Sequence, residues 1–76
     1  MLRDETIARV LQFRDARNWR QFHTPKDLAL SMALEAAELL EVFQWSGADL
    51  ECTHKQDKIR EELADILSYC ILMADV

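Results

Sequence analysis

Residues 24–45 read TPKDLALSMALEAAELLEVFQW, and this stretch decides the fold class. Thr24 is a favourable N-cap, Pro25 takes the first helical position, and Asp27 lies where the positive end of the helix dipole favours an acid. No helix breaker occurs before Gly47, which suits the left-handed position that follows a last helical turn. The stretch therefore predicts one long helix that continues to its final tryptophan.

Two further helices flank this one. The first is predicted from about Asp4, as its N-cap, to Arg17, with apolar residues at helical spacing. The other starts either at Thr53, which begins a capping-box pattern, or at Asp57, and continues to the end of the sequence. Residues 18–23 form a connector with exposed aromatic side chains. The predicted fold class is all-α, with three helices per chain that form part of an antiparallel four-helix-type bundle completed by oligomerisation.

The length and charge of the chain limit its functions. The 76 residues are 50% hydrophobic and 30% charged, which indicates a single domain, residues 1–76, that needs a metal or a partner chain to complete its core. The net charge is +3 over residues 1–26, with six basic and three acidic side chains, and −8 over residues 27–76, with three basic and eleven acidic. An acidic body argues against binding a nucleic acid polymer. It fits a protein that binds cations and fits a solvated acidic surface equally well.

Membrane insertion and disulfide formation are not expected either. The uncharged run at residues 66–74 is far shorter than the roughly 20 residues that span a bilayer, and the N-terminus is not a signal peptide. We therefore expect a cytoplasmic protein. Of the two cysteines, Cys70 lies in an apolar stretch and is expected to be a buried thiol. Arg14 and Lys26 are expected to be surface cations.

Four carboxylates form two pairs at i, i+3 spacing. With 100° per residue, Glu35 lies in the middle of an apolar stripe and Glu38 at its edge, and Glu62 and Asp65 repeat the pattern on the last helix. A buried carboxylate needs a partner, and the sequence offers few basic residues nearby. A divalent cation resolves this conflict, and oxygen-only ligands favour Mg²⁺ or Mn²⁺.

Two alternatives to that metal site stay open at this point. The second helix is apolar on its other side too, which predicts burial on most sides, but a rotation of the helices would turn the acids to solvent. A di-iron carboxylate site is the other alternative, and it requires Glu-x-x-His on its helices. His23 does not follow a glutamate at that spacing, and the one Glu-x-x-His in the sequence, Glu51 to His54, begins in a predicted polar loop rather than on a helix, which disfavours the di-iron site.

The same residues resemble a known family. Residues 35–38 (EAAE) and 62–65 (ELAD) are similar to the ExxE…ExxD signature of the MazG-like all-α nucleoside triphosphate pyrophosphohydrolases. Residues 18–25 (NWRQFHTP), 38–45 (ELLEVFQW) and 61–69 (EELADILSY) resemble motifs of the small dCTP pyrophosphatase branch of that family. The resemblance covers essentially the whole chain in the right order.

The resemblance implies an activity and a site. Members hydrolyse a (deoxy)nucleoside triphosphate between its α- and β-phosphates, which here implies nucleotide-pool clearance with a dCTP-like substrate. The implied Mg²⁺ ligands are Glu35, Glu38, Glu62 and Asp65, with Glu38 and Glu35 as the catalytic residues. The implied base pocket and the residues near it comprise Trp19, Trp45, Tyr69 and His23. The family also implies a homodimer or homotetramer.

The sequence departs from the branch at two places. Val10 stands where members carry a histidine that contacts the base. Members also continue through a further helix that contacts phosphates, whereas this sequence stops at Val76. We therefore expect the family's C-terminal segment to be missing and turnover to be reduced or abolished. A non-catalytic helical dimerisation module is therefore the alternative function.

Overall fold

The computed structural model describes residues 3–76 and contains three α-helices. They are α1 (Asp4–Ala16), α2 (Pro25–Val42) and α3 (Gln56–Asp75), and short 3₁₀ turns at Trp19–Phe22 and Thr53–Lys55 precede α2 and α3. Residues 3–76 contain no strand. The prediction of an all-α chain with three helices is confirmed, while completion of a four-helix bundle by a partner chain stays a prediction.

The start of α2 agrees with the prediction, but its end does not. The Thr24 hydroxyl accepts a hydrogen bond from the Asp27 amide at 3.1 Å, and Pro25 is the first helical residue. The helix ends at Val42 rather than at Trp45. Trp45 itself takes the left-handed conformation, with φ of 69°, two residues before Gly47 does so. The prediction that Gly47 directly follows the last turn of the helix was therefore wrong, although Gly47 does take the left-handed conformation.

The loop after α2 folds back on the end of that helix. The Cys52 thiol is buried and donates to the Val42 carbonyl at 3.3 Å, and the Cys52 amide donates to the Asp49 carboxylate at 3.1 Å. A helix leaves its last carbonyls without intrahelical partners, and this thiol supplies a partner for one of them. The loop thus closes the end of α2 at Val42, before the apolar pattern of the sequence ends. Cys52 is thus the buried thiol, whereas Cys70, which was predicted to be buried, is partly exposed.

The predicted caps of α1 and α3 were wrong. Arg3 is the N-cap of α1, Asp4 is already helical, and the helix ends one residue earlier than expected. Lys55 precedes α3 without a side-chain cap, because Thr53 belongs to the 3₁₀ turn and Asp57 lies inside the first helical turn. A side-chain cap requires an extended residue just before the helix, and neither Thr53 nor Asp57 is in that position.

The helices pack as an antiparallel pair with a third helix alongside. α2 and α3 form the main pairing, and α1 packs chiefly on α3. The positions of facing residues show that α2 and α3 run antiparallel. Glu35 lies beside Asp65, whereas Val42, at the end of α2, lies beside Lys58 near the start of α3. No helix in the described part of the chain combines the length and hydropathy needed to cross a bilayer.

The core of a single chain is small. The buried apolar side chains in residues 3–76 are those of Leu28, Val42, Cys52, Ile71 and Leu72. The radius of gyration is 14.4 Å, whereas a compact domain of this length has about 11 Å. The prediction that α2 is buried on most sides is wrong for the chain by itself, since Leu30, Leu34 and Leu40 on α2 are exposed.

An ion pair between a buried arginine and an exposed aspartate joins α1 to the end of α3. The Arg14 side chain is only 4% exposed, and its guanidinium donates to Asp75 at 2.7 Å and to Asp15 at 2.9 Å. The Arg14 guanidinium lowers the pKa of Asp75 below its usual range. The expectation that Arg14 is a surface cation was wrong, because its main partner lies 61 residues away in the sequence.

Candidate active site

Three carboxylates from α2 and α3 meet at the centre of the helix pair. One carboxylate oxygen each from Glu35, Glu62 and Asp65 lies within 4.8 Å of the others. Glu62 is 1% exposed, and the Oε2 atoms of both glutamates are buried without a hydrogen-bond partner. A buried carboxylate oxygen without a partner is unfavourable, so this acid cluster (Glu35, Glu62 and Asp65) is suited to a cation.

Glu38 lies at the edge of the acid cluster rather than within it. Its side chain is exposed, and it lines a neighbouring depression of about 650 Å³. The other residues around this depression are Glu41, Val42, Lys55, Lys58 and Glu62. The structure thus brings three of the four predicted ligands together and leaves Glu38 beside them, one turn further along α2. The full set of four stays a prediction.

Lys58 supplies a positive charge to the acid cluster, and its pairing with Glu62 was not predicted from the sequence. Its ammonium lies 2.9 Å from Glu62 Oε1 and 3.7 Å from Glu61 Oε1. The i, i+4 spacing of Lys58 and Glu62 on one helix was the signal that could have revealed the pair. This hydrogen-bonded ammonium lowers the pKa of Glu62.

The pKa of Glu35 shifts in the opposite direction to that of Glu62. Burial raises the pKa of Glu35 to about 7, and the carboxylates of Glu62, Glu38 and Asp65 add to the shift. Close carboxylates do not all remain ionised without a counter-charge. Near neutral pH, a proton on Glu35 therefore relieves the repulsion, and a metal ion would replace that proton on binding.

A pocket of about 470 Å³ opens beside Asp65, between α1, the first 3₁₀ turn and α3. Three of the predicted substrate residues, Trp19, His23 and Tyr69, lie in its wall, and Val10 lines it at the position that the family resemblance marked. The remaining lining residues were not singled out for the site, namely Arg9, Phe13, Arg14, Ser68 and Leu72. The His23 Nδ1 atom is buried without a hydrogen-bond partner.

The aromatic wall of this pocket is held by neighbouring side chains. The Phe13 and Trp19 rings meet edge to face, with centroids 5.5 Å apart. The Arg17 guanidinium lies 3.4 Å from the centre of the Phe13 ring. Aromatic pairs and cation–π contacts of this kind hold rings in place at the surface. Trp45 does not line this pocket, and its side chain is 91% exposed.

The comparisons with known proteins identify the family of the chain. A profile described as the MazG-like family matches residues 30–76. The chain is 37% identical to dCTP pyrophosphatase 1 of Bos taurus and 36% identical to that of Homo sapiens, over 92% of this chain and 45% of each relative. The chain therefore spans about half the length of the curated relatives it matches.

A solved structure shows the same fold. It is a pyrophosphatase from Archaeoglobus fulgidus, which superimposes with a TM-score of 0.88 and is 39% identical, over 95% of this chain and 70% of that one. The two proteins are therefore similar in sequence as well as in backbone structure. The chain therefore belongs to the MazG-like family.

Proposed function

We propose that this chain hydrolyses (deoxy)nucleoside triphosphates to the monophosphate and pyrophosphate, with a dCTP-like substrate favoured, and so clears nucleotides from the pool. One observation carries the proposal: the unpartnered buried oxygens of Glu35 and Glu62 lie next to Asp65, which borders an aromatic pocket. The relatives named dCTP pyrophosphatase and the pyrophosphatase structure support the same reaction.

The acid cluster has the composition that suits Mg²⁺ or Mn²⁺. Every donor atom is a carboxylate oxygen, the type of ligand that these hard cations prefer. Glu35, Glu62 and Asp65 would hold the ion, with Glu38 joining from the edge, and the two orphaned Oε2 atoms would gain a partner. A divalent ion in such a site neutralises phosphate oxygens and lowers the pKa of a bound water.

The chain's own carboxylates have separate roles in the proposed reaction. Glu38 is exposed at the edge of the cluster, where it can orient an attacking water. Glu35 would hold the ion in its ionised form, because a bound ion would displace the proton of this carboxyl, whose pKa is raised to about 7 in the metal-free site. Glu38 and Glu35 are the proposed catalytic residues for these reasons.

The aromatic pocket is the proposed base site. Its volume of about 470 Å³ lies in the range of small-molecule pockets. The Trp19 and Tyr69 rings can stack on a base and exclude water, while His23 offers a polar atom without a protein partner. A nucleotide with its base here would direct its phosphates towards Asp65. Trp45 stays a proposed substrate residue that a single chain does not bring to this pocket.

Oligomerisation is part of the proposal, as a homodimer or homotetramer. The exposed leucines on α2 and the small core both indicate that a second copy covers this face. The variant Leu34→Glu places a charge on a side chain that is 66% exposed in one chain, and it should lower the mass found by sedimentation equilibrium. The control variant Thr6→Glu adds the same charge on α1 and should leave the mass unchanged.

The direct test of activity is pyrophosphate release from a panel of dNTPs with Mg²⁺. The unaltered chain should be active, and Glu38→Gln and Asp65→Asn should each lose most of that activity. Glu61→Gln is the matched control, because this exposed acid lies next to Glu62 and outside the cluster. Equal activity in all four proteins would contradict the proposed site. No activity and no response to Mg²⁺ in the unaltered chain would favour a helical dimerisation module.

A further inference from the structure

Glu62 has two carboxylate oxygens in different environments. Oε1 lies 2.9 Å from the Lys58 ammonium, while Oε2 is buried and has no hydrogen-bond partner. The Glu62 side chain is 2% exposed, whereas that of Lys58 is 51% exposed. The ammonium therefore approaches this buried carboxylate from the solvent side and binds one oxygen only.

We propose that Lys58 is a positioning residue for the metal site, which fixes the Glu62 carboxylate through Oε1 so that Oε2 remains available as the metal ligand. This role rests on the proposed function, because it requires that the acid cluster binds a divalent ion. The partners that hold a ligand's second atom orient the ligand, and their loss typically weakens metal affinity by about 10–100-fold.

The structure distinguishes this role from a competing one. An ammonium that substituted for the metal would lie among the carboxylate oxygens of Glu35, Glu62 and Asp65 and would give the buried Oε2 atoms a partner. Instead, the Oε2 atoms of Glu35 and Glu62 are both without one. Lys58 lines the depression that Glu38 and Glu62 also line, and it does not line the pocket that Asp65 borders.

Helical spacing makes the contact specific to Lys58. Residues at i and i+4 lie one above the other on a helix, so the ammonium is tethered one turn before the carboxylate that it binds. Lys55 lines the same depression but forms no ion pair within residues 3–76. It therefore provides a matched control of the same residue type, charge and location.

The experiment measures Mn²⁺ binding to the substrate-free protein by the EPR signal of free Mn²⁺. The proteins are the unaltered chain, Lys58→Met, Lys58→Arg and Lys55→Met, at one mildly alkaline pH. Removal of a positive charge should by itself tighten the binding of a cation, whereas loss of a positioning contact should weaken it. The sign of the change thus separates the two roles without any measurement of catalysis.

We expect Lys58→Met to weaken Mn²⁺ binding by about tenfold or more. Lys58→Arg, which keeps a donor cation, should recover part of that loss, and Lys55→Met, which removes only a nearby charge, should bind as tightly as the unaltered chain or more tightly. Thermal unfolding in EDTA shows whether each variant is folded. Unchanged or tighter binding in a folded Lys58→Met would overturn the positioning role and leave the metal site intact. An unaltered chain that binds no Mn²⁺ would overturn the metal site and this role together.

Discussion

Replacement of Glu35 by glutamine should stabilise the metal-free protein and abolish its response to Mg²⁺. Glu35 shares the acid cluster with Glu62 and Asp65, and burial raises its pKa to about 7. The neutral amide keeps the size of the side chain and removes the charge that the other two carboxylates repel. The same change removes one proposed metal ligand. Glu35→Gln should therefore be more stable than the unaltered chain without the ion and should not gain stability when the ion is added.

The expected gain in stability of the metal-free protein follows from the spacing of the acids. Two carboxylate charges separated by 4.8 Å repel by about 3.5 kcal/mol at an effective dielectric constant of about 20. The cluster is partly open to solvent, and a proton on Glu35 already removes part of this repulsion. We therefore expect Glu35→Gln to raise the free energy of unfolding by about 1–2 kcal/mol, or Tm by about 4–16 °C for a domain of this size.

The pH dependence of this gain has a definite sign. The pKa of Glu35 in the folded state, about 7, lies above its ordinary value of 4.5. The stability that the group contributes is therefore fully present below 4.5 and is lost as the pH rises through about 7. The difference in Tm between Glu35→Gln and the unaltered chain should be small near pH 5 and largest near pH 8.

The assay is thermal unfolding followed by circular dichroism, at one protein concentration, in EDTA and in Mg²⁺. At a concentration 100 times the dissociation constant, Mg²⁺ should add about 2.7 kcal/mol to the unaltered chain and nothing to Glu35→Gln. Glu41→Gln, on the same helix and outside the cluster, should keep the full response. A Glu35→Gln protein that is less stable than the unaltered chain in EDTA at high pH, or that still responds to Mg²⁺, would refute this account.

Three further predictions concern residues outside the acid cluster. Asp75→Asn removes the 2.7 Å partner of the buried Arg14 and should lower the urea midpoint at neutral pH. Because Arg14 lowers the pKa of Asp75, this stabilisation is present above the ordinary pKa of 3.8 and is lost as the pH falls through the lowered pKa. The urea midpoints of Asp75→Asn and the unaltered chain should therefore converge in acid. A difference that stays constant with pH would contradict a stabilising Arg14–Asp75 ion pair. Trp45→Asn places a residue that tolerates positive φ at a φ of 69°, so the free energy of unfolding should be unchanged or up to about 1 kcal/mol higher. Calorimetry should show weaker nucleotide binding by this variant. A lower Tm of the nucleotide-free variant would contradict the expected stability. Cys52→Ala removes the buried thiol that donates to the Val42 carbonyl and should cost about 1–2 kcal/mol in urea unfolding, whereas an unchanged midpoint would show that the contact is not stabilising.

The metal candidates were largely predictable because their pattern is local. The i, i+3 spacing places Glu35 with Glu38, and Glu62 with Asp65, on one face of each helix wherever those helices pack. Which of the four meet was not predictable, since the rotation of α2 against α3 decides it. That rotation brings Glu35, Glu62 and Asp65 within 4.8 Å of one another and leaves Glu38 at the edge.

The sequence by itself determined the helical class, the start of α2 and the faces that carry the acids. These features depend on interactions within one turn, such as the Thr24 hydroxyl with the Asp27 amide. Only the tertiary structure decided where α2 ends and that Arg14 is buried. The partners lie outside the helical turn concerned: Cys52 is 10 residues from Val42 at the end of α2, and Asp75 is 61 residues from Arg14. Such residues meet only when a loop folds back or helices pack together.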